Sequence, residues 1–189
     1  MLEARGVWFR YKRDRILRDI SISLSVGETI TIIGSNGSGK TTLAMILAGI
    51  LKPSRGYVLA DGEDPRGRVY LAFQDARLLD ISVREFLSLL SDDLDMLPFL
   101  GIERVIDSRG KNLSAGRRKR VHLQAAYASR HRYVILDEPE AGIDSIEIAE
   151  RAIEAIAKRK GLIIITHEPR LMRGKTLRLS RGMLYEEDR

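Results

Sequence analysis

Eight residues, Gly34-Ser35-Asn36-Gly37-Ser38-Gly39-Lys40-Thr41, constrain this chain more than any others. They fit the phosphate-binding loop G-x-x-x-x-G-K-[ST]. At average composition four fixed positions recur by chance in roughly 1% of chains this long, and the context narrows the odds. Before the loop, Glu28-Thr29-Ile30-Thr31-Ile32-Ile33 has the β-branched pattern of a strand. After it, Thr42-Leu43-Ala44-Met45-Ile46-Leu47-Ala48 has apolar residues at helical spacing. Strand, glycine loop and helix N-terminus make an anion cradle, because backbone N–H groups point inward and the helix dipole favours negative charge. Gly37 and Gly39 supply backbone conformations and close approach that a Cβ would obstruct. Lys40 is placed to reach β- and γ-phosphates, and Thr41 to ligate Mg²⁺.

The rest of the chain predicts an α/β architecture around that loop. Tyr133-Val134-Ile135-Leu136 and Leu162-Ile163-Ile164-Ile165 are short continuous apolar runs, the pattern of parallel strands buried on both faces. Ile146 to Lys160 between them reads as an amphipathic helix, and Val69–Phe73 as another buried strand. The entry is antiparallel and β-rich: Val7–Tyr11 as a strand, a polar turn at Arg13-Asp14-Arg15, then Ile20, Ile22, Leu24 and Val26 in alternation. Asp61-Gly62 is a hairpin signal, and Thr176–Leu179 and Met183–Tyr185 read as a terminal hairpin across Arg181-Gly182. From Val83 to about Ile106 the pattern is helical, broken by Asp92-Asp93 and Pro98, and a long helix is expected after Ser114. The expectation is one domain over 1–189: a phosphate-loop fold with a mixed, mainly parallel core sheet, an N-terminal antiparallel β-subdomain and a short helical subdomain over about 78–130.

Composition narrows the setting. A length of 189 residues suits one domain with a substantial core. No apolar run approaches the roughly 20 residues of a membrane span, no signal peptide is legible at Met1-Leu2-Glu3-Ala4-Arg5, and cysteine is absent, which excludes disulfides and thiolate–metal sites. These features predict a cytoplasmic location. The formal charge is +6, and its densest basic run, Arg117-Arg118-Lys119-Arg120, opens the helix expected after Ser114. That placement fits phosphate attraction or helix-surface charge better than a nucleic-acid patch. Asn (36, 112) and Gln (74, 124) occur twice each, so the few amides are candidates for specific work.

A second constellation sits in Val134-Ile135-Leu136-Asp137-Glu138-Pro139, where two carboxylates end a buried strand. In open α/β sheets ligands bind outside the carboxyl ends of strands. Asp137 is placed to hold Mg²⁺ directly or through water, and Glu138 to polarise a water for in-line attack on a γ-phosphate. A lone histidine is ordinarily structural or solvated, but His167 also follows an apolar strand, where it would contact the γ-phosphate. Gln74, at the end of Val69–Phe73, is expected at the γ-phosphate or the metal.

Taken in order, these segments resemble the nucleotide-binding subunit of an ABC-type ATPase along nearly the whole chain. Tyr11 resembles the aromatic residue that stacks on adenine, an interaction worth about 1–3 kcal/mol by analogy with base-stacking proteins. Gly34–Thr41 matches the Walker A loop, and Thr42 the hydroxyl residue at the α-phosphate. Phe73-Gln74-Asp75 resembles the Q-loop, Leu113-Ser114-Ala115-Gly116-Arg117 the signature motif, Asp137 and Glu138 the Walker B pair, Ala141-Gly142-Ile143-Asp144 the D-loop and Thr166-His167-Glu168 the H-loop. The resemblance implies nucleotide contacts from Tyr11, Ser35, Asn36, Gly37, Ser38, Gly39, Lys40, Thr41, Thr42, Ser114, Ala115, Gly116 and Asp144. It implies Thr41, Gln74 and Asp137 around Mg²⁺, and Glu138, His167 and Gln74 in hydrolysis. Its signature residues meet the γ-phosphate held by another cassette, so ATP-dependent pairing, as a homodimer or a heterodimer, is implied. Two positions depart from the pattern: Ala115 stands where Gly is usual, and Arg117 where Gln is usual.

Two functions follow from the resemblance. One is the ATPase of a membrane transporter, peripheral on the inner face of the cell membrane and working on separate transmembrane subunits. Phe73-Gln74-Asp75-Ala76-Arg77-Leu78-Leu79-Asp80-Ile81-Ser82-Val83-Arg84-Glu85 resembles transporter cassettes after the Q-loop. The other is a soluble ABC-type ATPase acting on a protein scaffold or nucleic acid. Only 40 residues separate Gln74 from Ser114, which excludes the coiled-coil DNA-repair members, and translation-factor members carry two cassettes. No Asn-Lys-x-Asp base motif exists for a small GTPase. No nucleic-acid partner is expected.

Overall fold

The structure is a computed structural model that describes residues 1–75, 78–91, 95 and 97–187. Two sheets divide the strands. β1 (Leu2–Tyr11) pairs antiparallel with β2 (Asp14–Leu24) on one side and with β4 (Arg55–Ala60) on the other. β3 (Thr29–Ile33) lies inside a six-stranded sheet ordered β5-β6-β7-β3-β8-β9, in which β5 (Val69–Ala72), β6 (Tyr133–Asp137), β7 (Gly161–Ile165) and β8 (Lys175–Ser180) run parallel with it. β9 (Met183–Glu186) turns back antiparallel on β8 as the expected terminal hairpin.

The continuous apolar runs are explained by burial on both faces. Along β6, Tyr133 and Ile135 point into a core shared with β1, β2 and α1 (Lys40–Leu47), while Val134 and Leu136 point into a second core under α3 (Ala115–Ala128) and α4 (Ile146–Ala157). α4 buries Ala149, Ala152, Ile153 and Ile156, an i, i+3, i+4, i+7 stripe. Truncating any of the buried leucines or isoleucines to Ala would cost about 2–5 kcal/mol.

Three sequence expectations are corrected. β1 starts at Leu2 rather than Val7. Leu2 and Ala4 are buried, then Val7 and Phe9, and the shift of one between the two pairs is a bulge at Gly6, whose φ is 53°. A bulge breaks the period of two that reveals a strand. Asp61-Gly62 does form a tight turn, with φ of 53° and 83°, but it is closed by the single bridge Ala60–Glu63, and the chain then crosses to β5 in the other sheet. Among the described residues of Val83 to Ile106, the α-helix is α2 (Val83–Ser88), started by a capping box in which Glu85 N–H donates to Ser82 Oγ and Glu85 Oε2 accepts from Ser82 N–H. Single 3-10 turns follow at Pro98–Leu100, Glu103–Val105 and Gly110–Asn112. Pro98 disfavours helix at Leu97, and Gly101 leaves the first turn at φ 61°. The apolar spacing there reflects Leu97, Leu100, Ile102 and Val105 buried against α3, not a helix. Asp92 and Asp93, named above as a break, lie outside the described residues, as do Ala76 and Arg77 of the segment after the Q-loop.

Candidate active site

β3 runs into the glycine loop and α1 starts at Lys40, so the cradle opens at the carboxyl end of the parallel sheet. The N-cap of α1 is Gly39 at φ 104°, ψ 12°, with no side-chain cap bond. A Cβ on Gly39 would stand 2.9 Å from Ile16 Cγ2, and one on Gly34 would strike the Leu179 carbonyl oxygen. Bare backbone at both points is therefore required. The first N–H groups of α1 have no competing side-chain acceptor.

A cavity of about 330 Å³ faces this helix start. Asn36, Gly37, Gly39, Lys40, Thr41 and Thr42 form one wall; Gln74, Asp137 and Glu138 face them from the ends of β5 and β6. The expected cradle and carboxylates are thus brought together. Lys40 Nζ donates to the carbonyls of Gly34 (2.6 Å) and Ser35 (3.1 Å). Burial lowers its pKa, opposed by Glu138 and Asp137. Ser38 Oγ is buried, with no hydrogen-bond partner among the described residues.

Thr41 Oγ1 donates to Asp137 Oδ2 at 2.8 Å. Burial pushes the Asp137 carboxyl above the ordinary aspartate value, against the pull of Thr41, Lys119 and Lys40. A costly buried carboxylate beside a threonine hydroxyl fits Mg²⁺, which takes one or two protein oxygens and completes its shell with water and phosphate. Among the described residues, no three His, Asp or Glu converge as an all-protein metal cage.

Glu138 has φ 47°, a left-handed conformation that costs a non-glycine residue about 1–3 kcal/mol. Its N–H donates to the Ile165 carbonyl (2.9 Å) and its carbonyl accepts from Ala141 N–H (3.1 Å), so the turn is held from both sides. The next turn is tied to the end of β7, because Thr166 Oγ1 donates to Glu140 Oε1 at 2.6 Å. His167 and Gln74 expose their side chains.

Ser114, Ala115, Gly116 and Asp144 do not line the phosphate cavity. They belong to a second face. Ser114 caps α3, its Oγ accepting from Arg117 N–H at 3.3 Å. A Cβ on Gly116 would strike the Gly142 carbonyl oxygen, so backbone packs on backbone where α3 meets the loop after Glu138. Arg120 pairs with Asp144 at 3.0 Å across the same contact. Ala115 lies beside this contact, and its Cβ would be 3.8 Å from one built on Gly142; the extra methyl is accommodated. Ala115, Arg118, Lys119, Ala141 and Gly142 wall a cavity of about 410 Å³ that shares Gln74 with the phosphate cavity. Tyr11 ends β1 half-exposed, its ring edge-on to Phe9 with centroids 4.8 Å apart. Among the described residues the wall of the phosphate cavity on that side is Ile16.

Ile16 and Lys119 were missed from sequence. Ile16 is skipped in the β1–β2 register between Phe9↔Leu17 and Arg10↔Arg15, a bulge that re-aims its side chain. Lys119 is no part of a uniform basic surface. It is 2% exposed, and it shares the i, i+3, i+4, i+7 stripe with buried His122, Leu123 and Ala126, a signal legible in the sequence.

A family model described as ABC transporter matches residues 17–141. The chain belongs to the ABC transporter family. It is 30% identical to the lipopolysaccharide export system ATP-binding protein LptB of Escherichia coli, with 89% of this chain and 81% of that protein aligned. It is also 30% identical to a putative ABC transporter ATP-binding protein of Pyrococcus furiosus, over 96% of this chain and 81% of the relative. Among solved structures, an ATP-binding subunit of an ABC transporter superposes with a TM-score of 0.86 at 23% identity, over 99% of this chain and 89% of that one. A dimeric ATP-binding cassette in a post-hydrolysis state with ADP and phosphate gives 0.82 at 21%, over 99% and 98%. At these identities the structures show the shared fold. This ABC chain is an ATP-binding, ATP-hydrolysing subunit, and no helix among its described residues is long and apolar enough to cross a membrane.

Proposed function

We propose that this chain is half of a paired ATPase that drives separate transmembrane subunits from the inner face of the membrane. The observation that carries the reading is the opposition of Lys40 and Thr41 to Asp137 and Glu138 across one cavity at the sheet's carboxyl end. Lys40 leaves its own loop carbonyls for the β- and γ-phosphates, and the α1 N–H groups take the phosphate oxygens. Thr41, Asp137 and Gln74 would hold Mg²⁺, which when bound would offset the negative charge of the phosphates during transfer. Glu138 orients a water and accepts its proton as the water oxygen bonds to the γ-phosphorus and the bond to the β-phosphate oxygen breaks, leaving ADP and phosphate. His167 contacts the γ-phosphate, Thr42 the α-phosphate, and Tyr11 stacks on adenine once the β1–β2 hairpin closes over it. Ser114, Ala115, Gly116 and Asp144 face the nucleotide of the second cassette.

The helical subdomain expected over about 78–130 would receive the membrane subunit, and closure of the pair would move that surface. The relatives favour transport over a soluble scaffold, since the aligned proteins are named as export and transporter ATP-binding proteins. The test has two parts. Glu138→Gln should lower ATP turnover about 10²–10⁴-fold, the usual range for a general base; turnover within threefold of wild type contradicts the assignment. A tagged chain extracted from membranes in mild detergent should carry a multispan membrane protein at fixed stoichiometry, and a soluble scaffold in its place would overturn the transport reading.

A further inference from the structure

Lys119 lies at the seam between the two cavities, and its ammonium group has three donors. They go to three backbone carbonyls: Phe73 and Gln74 at 3.1 Å each, and Asp137 at 3.3 Å. The pairing of β5 with β6 ends at Ala72↔Leu136. Beyond it the strands part to open the phosphate cavity: the carbonyls of 73 and 74 lie past the last paired residue of β5, and Asp137 is paired with Ile165 of β7 but with no residue of β5. Lys119 supplies their bonds from α3, five residues after the Ser114 cap. A buried cation is costly without compensation. Here burial holds the ammonium pKa below its ordinary value, and the nearby charges of Asp137, Glu140, Glu138 and Asp75 offset part of that cost, while the three carbonyls take its hydrogen bonds.

We propose that Lys119 is a positioning residue that couples the start of α3 to the backbone of Gln74 and Asp137, so that engagement of Ser114 and Gly116 by one nucleotide sets the catalytic geometry around the other. The inference rests on the paired-ATPase reading above. The linkage is short and physical. The Gly116–Gly142 contact and the Arg120–Asp144 pair hold the same helix to the loop after Glu138, so α3 grips both exits from the cavity, one through Lys119 and one through that loop. A shift of α3 moves Gln74 and Asp137 together. It leaves Lys40 and its bonds to the Gly34 and Ser35 carbonyls free to bind nucleotide as before, with Thr41 the loop residue bonded to Asp137.

Lys119→Met keeps the length and loses the three bonds. Its ATP affinity, measured on the monomer by titration with a fluorescent ATP analogue, is expected to stay within threefold of wild type. Its kcat should fall at least tenfold with little change in KM, and the Hill coefficient for ATP should fall toward 1. Lys119→Arg, which can reach the same carbonyls, should recover most of the rate. Parallel loss of affinity, rate and thermal stability would mark Lys119 as structural only and overturn the proposal, as would an unchanged Hill coefficient and kcat. If Lys119→Met does not fold, Lys119→Gln, which retains one donor group, is measured the same way, with the same split expected. Wild-type protein that hydrolyses no ATP would instead contradict the function proposed above, so the two failures are distinct.

Discussion

Two helix starts in this molecule stand beside cavities, and they are built in opposite ways. α1 begins at Gly39, in a left-handed conformation without a side-chain cap, its loop wedged against Ile16 and the Leu179 carbonyl. α3 begins at Ser114, whose hydroxyl already accepts a bond from Arg117 N–H, on an exposed surface. The first start is complete within one chain: cradle, lysine and opposing carboxylates share a cavity. The second offers an N-terminus and a hydroxyl beside the other cavity, whose wall, among the described residues, includes no part of the glycine loop. On the paired-ATPase proposal, binding and completion are then separate duties: one chain holds the nucleotide, and a neighbour's exposed helix start closes the site.

Substitutions should separate those duties, and the largest effect is expected at the cradle. Gly39→Ala forces a Cβ into a left-handed conformation, costing about 1–2 kcal/mol, and crowds Ile16. ATP affinity of the monomer should drop roughly a hundredfold, two decades being about 2.8 kcal/mol; calorimetric titration within fivefold of wild type would break the comparison. Gly116→Ala comes next. Alanine favours the helix by up to about 1 kcal/mol, yet here its Cβ meets the Gly142 carbonyl. Turnover is expected to fall at least tenfold with monomer affinity intact, while a raised thermal midpoint with full turnover would show that the contact yields freely.

Ser114→Ala removes the α3 cap, which is worth about 1 kcal/mol, or about 2–4 °C in midpoint for a chain of this size. Turnover should fall by more than that loss explains, and Ser114→Gly, which costs the cap only a few tenths, should lose the same turnover. Equal thermal and catalytic recovery in the glycine variant would reduce Ser114 to a cap. The smallest effect concerns charge, which the cradle buries and the α3 start does not. Asp137 has its pKa raised by folding, so the folded chain binds more protons than the unfolded one between the ordinary aspartate value and the raised value. Stability therefore declines as pH rises through that window, and the cost persists at neutral pH. Asp137→Asn should melt higher at pH 7 while losing hydrolysis, and the gap should close in acid. A variant that melts lower at pH 7 would refute this sign.

Sequence reading reached the cradle more fully than the α3 face, for physical reasons. Phosphate binding by backbone N–H groups demands glycines at fixed spacing beside a strand, and such a demand is local. The β6 and β7 runs were equally legible, because burial on both faces leaves no polar positions. What escaped notice depended on long-range packing. Gly6 and the skipped Ile16 break alternation in β1 and β2. The apolar residues between Leu97 and Val105 keep a helical spacing through separate 3-10 turns. Lys119 hid inside a basic run, although its place on the stripe with His122, Leu123 and Ala126 marks it as buried. The scarcity of amides was informative. Gln74 joins the two cavities, and fully buried Gln124 accepts from Leu97 N–H and donates to the Asp95 carbonyl, tying the insert to α3.

The central claim is that the α1 cradle is half a site. Light scattering on purified Glu138→Gln with ATP and Mg²⁺ tests it most directly, because slowed hydrolysis keeps the closed state populated. The account predicts a monomer without nucleotide and a doubled mass with ATP and Mg²⁺, reversed by Ser114→Arg on the opposing face. A protein that binds ATP at full occupancy yet keeps the monomer mass would contradict it.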